Sequence, residues 1–408
     1  MADSLKNESE YDQDRLERHI HAQRAETGLS RRRVVQMLAA SAAGLALTTE
    51  RRAAAQTAPT IVKPTPADKF RLLGTNAETL FEAFKGQGYL TPESLFFVRN
   101  HTSTPAIDAS SWRLTVSGSG VRRPLTLRYH DLLRFRSVTT TKFIECAGNG
   151  RSFFGSQQGT PASGSAWRLG AIGVGKWTGV RLSDVLDFAR VKRSAVDVQP
   201  EGLDAEVGTN GHVRRAIPIE KALDDVLLVY GLNGKPLPPD HGFPVRVLVP
   251  GWIGISNIKW VGHIEVSEEP LFSNWNTSQY RLLGAEYPDQ PVLTQQTLKS
   301  AFELPFPATL EAGWHFLTGR SWSAHGSIRK VDVSFDGGNK WWRAYVDPQK
   351  NKSQAWAQWS IPWPATCGEH VLQARATDSR GNVQPTTVPF NDLGYLFSAV
   401  VKHPVTVV

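Results

Sequence analysis

The chain has 408 residues and is poor in cysteine, with two, Cys146 and Cys367. At most one internal disulfide can form, so a disulfide-stapled scaffold is excluded, as is an all-cysteine structural zinc site. No C-x-x-C-H occurs, which removes covalent attachment of c-type haem. There is no internal repeat and no long Lys/Arg run, and no apolar run reaches the ~20 residues that a membrane-spanning helix needs. The net charge of +8 is scattered along the chain. Nucleic-acid binding asks for a basic stripe or a known module, and neither is present. The modest excess suits an anionic small substrate or an acidic protein partner met through steering. What is present is globular: 40% hydrophobic and 21% charged residues exclude collagen-like and wholly disordered chains. The length allows two or three domains at ~100–200 residues each.

The first 29 residues are polar and charged. Ser30-Arg31-Arg32-Arg33 then precedes an Ala-rich apolar run from Leu38 to Leu47, and Ala53-Ala54-Ala55 offers a small-residue cleavage site. Charged region, short apolar region and small-residue site together read as a secretory signal over residues 1–55. Paired arginines before a moderately apolar run point to the twin-arginine route, and hence to the periplasm.

A Pro/Thr-rich linker, residues 56–66, leads to two domains, 67–288 and 289–408. The first mixes strands and helices. Ser111–Ser117, Val226–Tyr230, Val245–Val249 and Ile258–Val266 read as strands, and Leu182–Arg190 has helical spacing. The second is nearly all strand. Ile328–Phe335 alternates and ends in Asp336-Gly337-Gly338, and Trp341–Val346, Trp356–Ile361 and His370–Thr377 follow at sandwich-like spacing.

The most informative stretch is Thr141 to Arg151, TKFIECAGNGR. Cys146 closes a short apolar strand and is followed at once by small, turn-forming residues. A thiol so placed faces a cleft where backbone can approach closely, and Lys142 and Arg151 beside it favour the thiolate. A nucleophile and a single metal-thiolate ligand both fit; a buried small apolar residue is the ordinary alternative.

This run resembles the molybdenum-ligating cysteine loop of the sulfite oxidase family of molybdenum enzymes. Phe96-Phe97-Val98-Arg99-Asn100-His101 is similar to the first cofactor-and-substrate segment of that family. Trp167 to Gly173 and Trp177 to Leu182 are similar to the next, and Glu201-Gly202-Leu203-Asp204 follows. The longest match, Asn233 to Trp260, contains Pro239-Asp240-His241-Gly242-Phe243-Pro244-Val245-Arg246 and Ile258-Lys259-Trp260. The resemblance implies an α+β molybdopterin-binding catalytic domain followed by an all-β, immunoglobulin-like dimerisation domain. It implies molybdenum-molybdopterin, a Mo-pyranopterin, as cofactor. Cys146 is then the protein's direct ligand to molybdenum, a soft thiolate suited to a high-valent centre. The matched cofactor positions are Phe97, Val98, Arg99, Asn100, His101, Asp204, His241, Arg246, Asn257, Ile258 and Lys259. Among these, His241, Arg246 and Lys259 supply donors to the pterin phosphate and Asp204 accepts from pterin N–H groups. The matched catalytic positions are Arg99 and Arg151, which hold a sulfur oxyanion, Trp167, which walls the pocket, and Tyr280.

The sequence departs from the animal members in two places. Their b-type haem domain, marked by His-Pro-Gly-Gly, has no counterpart, so no haem is expected in this chain and electrons are expected to leave to a separate c-type cytochrome. Their dimerisation domain also sends an arginine into the pocket from just before the Val-Asp-Val-Ser strand; here Gly326 or Ser327 takes that place, with His325 beside it. A pocket with one cation fewer suits a carrier-protein-bound sulfur group over free sulfite, as in the molybdenum subunit of sulfane dehydrogenases. Cys367 reads as a structural turn residue. The expected protein is a periplasmic oxidoreductase of sulfur substrates, a homodimer or a heterotetramer with its cytochrome. A periplasmic reductase of sulfoxides or nitrate would use the same centre in reverse. A non-catalytic binding protein would hold no metal.

The export reading has a direct test. Replacing Arg31, Arg32 and Arg33 together by Lys is expected to trap the protein in the cytoplasm, as read by cell fractionation. Normal periplasmic levels of the triple variant would remove the twin-arginine assignment.

Overall fold

The structure, a computed structural model, describes residues 61–408 together with Glu17 and Arg24. Apart from those two positions, the expected export signal lies outside the described residues. Among the described residues no helix is long and apolar enough to cross a membrane.

The strand Ser137–Glu145 is rich in β-branched and aromatic residues, which suit a pleated backbone. It pairs antiparallel with Ile172–Arg181 along its whole length, from Ser137 opposite Val180 to Glu145 opposite Ile172. Leu227–Leu232, Lys235–Pro236 and Arg246–Leu248 complete this five-stranded sheet. Burial rises along Ser137–Glu145 until Phe143, Ile144 and Glu145 are all enclosed, and the chain leaves the sheet at Cys146. A second sheet runs in the order Leu125–Arg128, Arg113–Ser117, Val261–Ser267, Asp197–Gly202, Ile217–Pro218. Leu125–Arg128 alternates buried and exposed side chains, as a strand with one face on a core must. The same core takes Leu182, Val185 and Leu186, the i, i+3, i+4 stripe of the helix Leu182–Phe188.

The C-terminal half is a sandwich of two sheets. One holds Lys299–Phe302, Gly313–Trp322, Trp356–Ala365 and Tyr345–Asn351. The other holds Ala308–Leu310, His403–Val407, Gly368–Asp378, Ile328–Ser334 and Trp342–Arg343. Gly313–Trp322 and Trp356–Ala365 pair over ten residues without a shift, and Ala357, Trp359, Ile361, Trp363 and Ala365 fill the space between the sheets. Trp341–Val346, expected as one strand, is two. Trp342–Arg343 pairs with Asp332–Val333, whereas Tyr345 begins a strand of the opposite sheet. The chain changes sheets at the buried Ala344.

The halves share a third core. Phe81 stacks on Trp322 at 6.1 Å and Phe84 meets Trp356 edge-on at 5.3 Å. Arg320, fully buried, pairs with Glu303 at 2.7 Å and donates to the carbonyls of Phe84 and Gly88. Removing one member of such a buried pair costs about 3–5 kcal/mol, because the other charge stays buried and uncompensated. The expected boundary at residue 288 falls in irregular chain between Thr277 and Lys299. Residues 391–396, late in the sequence, return to the first half: the Leu396 N–H donates to the Ala147 carbonyl at 2.9 Å, and Tyr395 sits in that half's core.

Candidate active site

A cleft opens where the strand Ser137–Glu145 ends. Every candidate residue lies on its wall except Val98, Arg151 and Trp167: Phe97, Arg99, Asn100, His101, Cys146, Asp204, His241, Arg246, Asn257, Ile258, Lys259 and Tyr280 line it.

Cys146 is free, and 8% of its surface is exposed. Its N–H donates to Ala171 and its carbonyl accepts from Asn149, both at 3.0 Å, which fixes a tight turn. The preceding Glu145 is completely buried. Its Oε1 accepts from Lys299 Nζ at 2.6 Å and from Asn149 Nδ2 at 2.9 Å, and its Oε2 accepts from Trp322 Nε1 at 3.0 Å. Its backbone carbonyl takes Gln296 Nε2 at 2.7 Å. Lys299, Trp322 and Gln296 all come from beyond residue 288, so the later part of the chain sets the position of the thiol. Gly254 packs on the same turn, and a side chain there would begin 2.9 Å from the Glu145 carbonyl oxygen.

One end of the cleft is a cationic cradle. Arg246 donates to the carbonyls of His241 at 3.1 Å and Asn257 at 2.9 Å, and lies over the Trp177 ring. Lys259 donates to the Asp240 carbonyl at 2.8 Å and to Asn100 Oδ1, and lies over Trp260 at 4.0 Å. The Asn257 side chain is used internally: it accepts from the Val249 N–H and donates to Ile253, which holds the turn. Burial drives Arg246 down to about 9 and Lys259 well below the ordinary lysine range, where Arg246 pushes it further. His241 is likewise held neutral, by burial first and then by Lys63, Lys259 and Arg246. Asp240 and Asp204 offset only part of this positive charge, and buried cations clustered in a cleft mark a candidate anion site.

The other end holds Arg99, His101 and Tyr280. Arg99 Nη1 is buried without a partner. The Tyr280 hydroxyl stands 3.5 Å from His101 Nε2. Burial and the charges of Arg99 and Lys259 keep His101 neutral, and burial raises the Tyr280 phenol, so Tyr280 keeps its proton at neutral pH. Trp260 and Tyr280 hold left-handed backbone, φ 53° and 56°. Non-glycine residues pay ~1–3 kcal/mol for such conformations, which concentrate at functional sites.

Three candidates lie off the wall. Val98 exchanges both backbone hydrogen bonds with Ala77 at 2.9 Å and packs with Phe70, so it has nothing left to offer a cofactor. Trp167 is enclosed behind Phe97, edge-on at 6.4 Å, and supports the wall instead of forming it. Arg151 is withdrawn: Nε donates to the Leu393 carbonyl at 2.7 Å and Nη1 to that of Ser165 at 2.9 Å, over the Tyr395 ring. Its charge still reaches Tyr280. The absence of a side chain at Gly148 makes room for it, since a Cβ there would sit 2.7 Å from the guanidinium. Gly326 is not an open pocket position either. It is buried, and a Cβ would meet Ser379 Oγ at 2.2 Å. Cys367 is free and exposed in the short turn that crosses from Trp356–Ala365 to Gly368–Asp378 in the opposite sheet.

Sequence reasoning passed over three contributors. Asp240 and Trp260 line the cleft inside motifs that were quoted for their neighbours. Tyr395 stacks on Tyr280, with centroids at 5.2 Å and planes within 16°. Nothing local in Asn391 to Leu396 signals that approach, because the contact is made across more than 100 residues.

The donors present fit a phosphorylated, metal-bearing pterin. Arg99 Nη1, His241 Nε2 and Arg246 Nε are buried without protein partners on residues that line the cleft, and a soft thiol stands on the same wall. Residues 101–275 match the family model of the oxidoreductase molybdopterin binding domain, and residues 308–407 match that of the Mo-co oxidoreductase dimerisation domain. Fold and site define a molybdopterin-dependent oxidoreductase. The chain is 36% identical over 321 residues to the mitochondrial sulfite oxidase of Homo sapiens, covering 74% of this chain and 58% of that one. It is 37% identical over 332 residues to the sulfite oxidase of Gallus gallus, covering 76% and 70%. The crystal structure of the sulfane dehydrogenase SoxCD from Paracoccus pantotrophus superposes with a TM-score of 0.73 at 30% identity, over 88% of this chain and 96% of that one. The chain belongs to the sulfite oxidase family of molybdenum enzymes, and spans little more than half the length of the mammalian relative.

Asp204 gives a pH test of the cleft. Burial raises its carboxyl from 3.8 to about 6. The folded, cofactor-free protein therefore holds this proton more tightly than the unfolded chain. The resulting stability is fully present below pH ~4 and is lost as pH rises through ~6. Asp204→Asn is expected to stabilise the cofactor-free protein at pH 7 by about 2–3 kcal/mol and to flatten its stability between pH 4 and 7. Denaturant unfolding across that range checks it; parallel curves for variant and wild type would contradict it.

Proposed function

We propose that this protein is the molybdenum subunit of an exported sulfur dehydrogenase. Its substrate is sulfite or, preferentially, sulfur carried on a partner protein, and its electrons pass to a c-type cytochrome. The observation that carries the reading is Arg99: a buried guanidinium nitrogen without a partner, on the same wall as the Cys146 thiol.

When bound, molybdenum-molybdopterin supplies the oxygen-transfer and electron-transfer chemistry. Cys146 would give the metal its protein thiolate. His241, Arg246 and Lys259 would hold the phosphate, with Asp204 on the pterin N–H groups. Arg99 binds and orients the sulfur oxyanion, and the Tyr280 hydroxyl donates to it. The apolar walls Phe97, Ile144 and Val213 exclude water, which strengthens those contacts. With Arg151 withdrawn to carbonyls and Arg246 placed in the cradle at the opposite end, Arg99 has no second arginine beside it at its own end of the cleft among the described residues. That suits a carrier-bound sulfur group with one charged end better than free sulfite, and similarity to SoxCD over almost all of that chain supports the same choice. The arginines at 31–33 support export to the periplasm.

The sandwich supports assembly. Trp314 and Phe316 are 77% and 68% exposed, and stand beside the exposed Pro364 and Pro362. Adjacent apolar groups of this size mark a protein contact, here the second chain of a dimer.

Arg99→Met is expected to lower kcat/KM roughly 30- to 1000-fold, about 2–4 kcal/mol of lost transition-state binding. Arg99→Lys recovers little, because an ammonium lacks the planar fork. Steady-state kinetics with cytochrome c as acceptor, on sulfite and on carrier-bound sulfur, is the test. A change within about threefold on every sulfur substrate would remove the reading.

A further inference from the structure

Asp240 lines the cleft next to His241 and is 1% exposed, but its carboxylate is directed to a distant part of the chain. Oδ1 accepts from the Val62 N–H at 3.0 Å and Oδ2 from the Lys63 N–H at 2.8 Å. Oδ1 also accepts from Thr104 Oγ1 at 2.5 Å. Thr104 in turn accepts from Asn100 Nδ2 at 3.0 Å. Asn100 Oδ1 accepts from Lys259 Nζ, which donates at 2.8 Å to the Asp240 carbonyl. The ring Asp240–Thr104–Asn100–Lys259–Asp240 thus closes around one end of the cradle, and residues 62 and 63 are fastened to it from outside.

The other side of the fastening is Lys63. Its ammonium donates to the carbonyls of Ser94 at 3.3 Å, Glu93 at 3.4 Å and Phe96, the residues that lead into Phe97–His101. It also lies 4.5 Å over the Phe70 ring. Ile61 packs with Phe70, Ala77 and Val98. One short stretch therefore ties the 93–101 loop to the 239–241 turn, and both contribute to the cleft wall. Lys63 is half-buried, and burial lowers its ammonium to about 7 against the attraction of Asp240.

We propose that residues 61–63 form a strap that locks the molybdopterin cradle shut, with Lys63 and Asp240 as its positioning residues; this rests on the molybdopterin reading above. The strap does not line the cleft. It holds His241, Lys259 and Asn100 at the spacing that the bound phosphate needs, and its release lets the two loops separate. The strap lies inside the expected linker, residues 56–66, a few residues after the expected export signal, so part of that linker is bound into the fold.

The test uses the full-length holoprotein with Val62→Pro, which deletes the N–H that donates to Asp240, and with Lys63→Met, which keeps the stem and removes the ammonium. Neither side chain is on the cleft wall, so an effect on cofactor retention must pass through the strap. Release of molybdenum and of pterin is followed in parallel after gel filtration, and the unfolding midpoint of the cofactor-free form is measured for each variant. The expected result is cofactor loss roughly 10- to 100-fold faster, the factor set by one lost charge-assisted hydrogen bond, with cofactor-free midpoints close to wild type. Retention within about threefold of wild type in both variants would overturn the strap. Faster loss matched by a general drop in the cofactor-free midpoint would also overturn it, since the effect would then be global. Wild-type protein holding neither molybdenum nor pterin would overturn the cofactor reading itself.

Discussion

The site depends on one buried carboxylate. Glu145 stands immediately before Cys146 and has no solvent contact. Left alone in the interior, such a charge would be strongly disfavoured. Lys299, Asn149 and Trp322 satisfy its carboxylate, and Gln296 satisfies its backbone carbonyl. A buried ion pair adds little net stability over an apolar replacement, but breaking one partner is expensive, so it imposes a geometry. Here the geometry imposed is that of the thiol loop, and three of the four partners are supplied from the region around the sandwich. The third core, with Trp322 and Trp356 against Phe81 and Phe84, and the Arg320–Glu303 pair hold that region in place. Docking of the later sequence is therefore a condition for a correctly placed Cys146.

The cradle expresses the opposite economy. Arg246, Lys259 and His241 are buried together, with hydrogen-bonding atoms left open and with left-handed backbone at Trp260. Each of these features costs free energy in the protein by itself, and an enclosed phosphate offsets the cost by pairing the open donors and the buried positive charge. A fold with such a site is stabilised by its cofactor. That agrees with a wall tied at Asp240 to residues 62 and 63 outside the cleft.

The parts of this arrangement legible in sequence were those encoded locally. Strand alternation in Ser111–Ser117 and Ile328–Phe335, the thiol at a strand end, and the motif Asp240 to Arg246 each declare themselves within a few residues. What was not legible is contact between distant segments. Arg151 and Trp167 carry the right side chains in the right motifs, yet the first is turned to the Leu393 and Ser165 carbonyls and the second is screened by Phe97. Val98 was included for its neighbours, while its own backbone is committed to Ala77. Gly326 suggested space, and Ser379 fills it. Tyr395 and Lys63 reach the site from opposite ends of the sequence, where no local pattern points to a ligand. The split of Trp341–Val346 between two sheets has the same origin: a single run of strand-forming residues does not reveal that its two halves face different partners.

The central claim is that Cys146 is the protein's ligand to molybdenum. X-ray absorption at the molybdenum edge tests it most directly, on wild-type protein and on Cys146→Ser brought to equal metal content. The near-isosteric change leaves the turn and the Glu145 contacts in place. The expected result is one sulfur neighbour fewer around molybdenum in the variant. The same number of sulfur neighbours in both proteins would contradict the assignment.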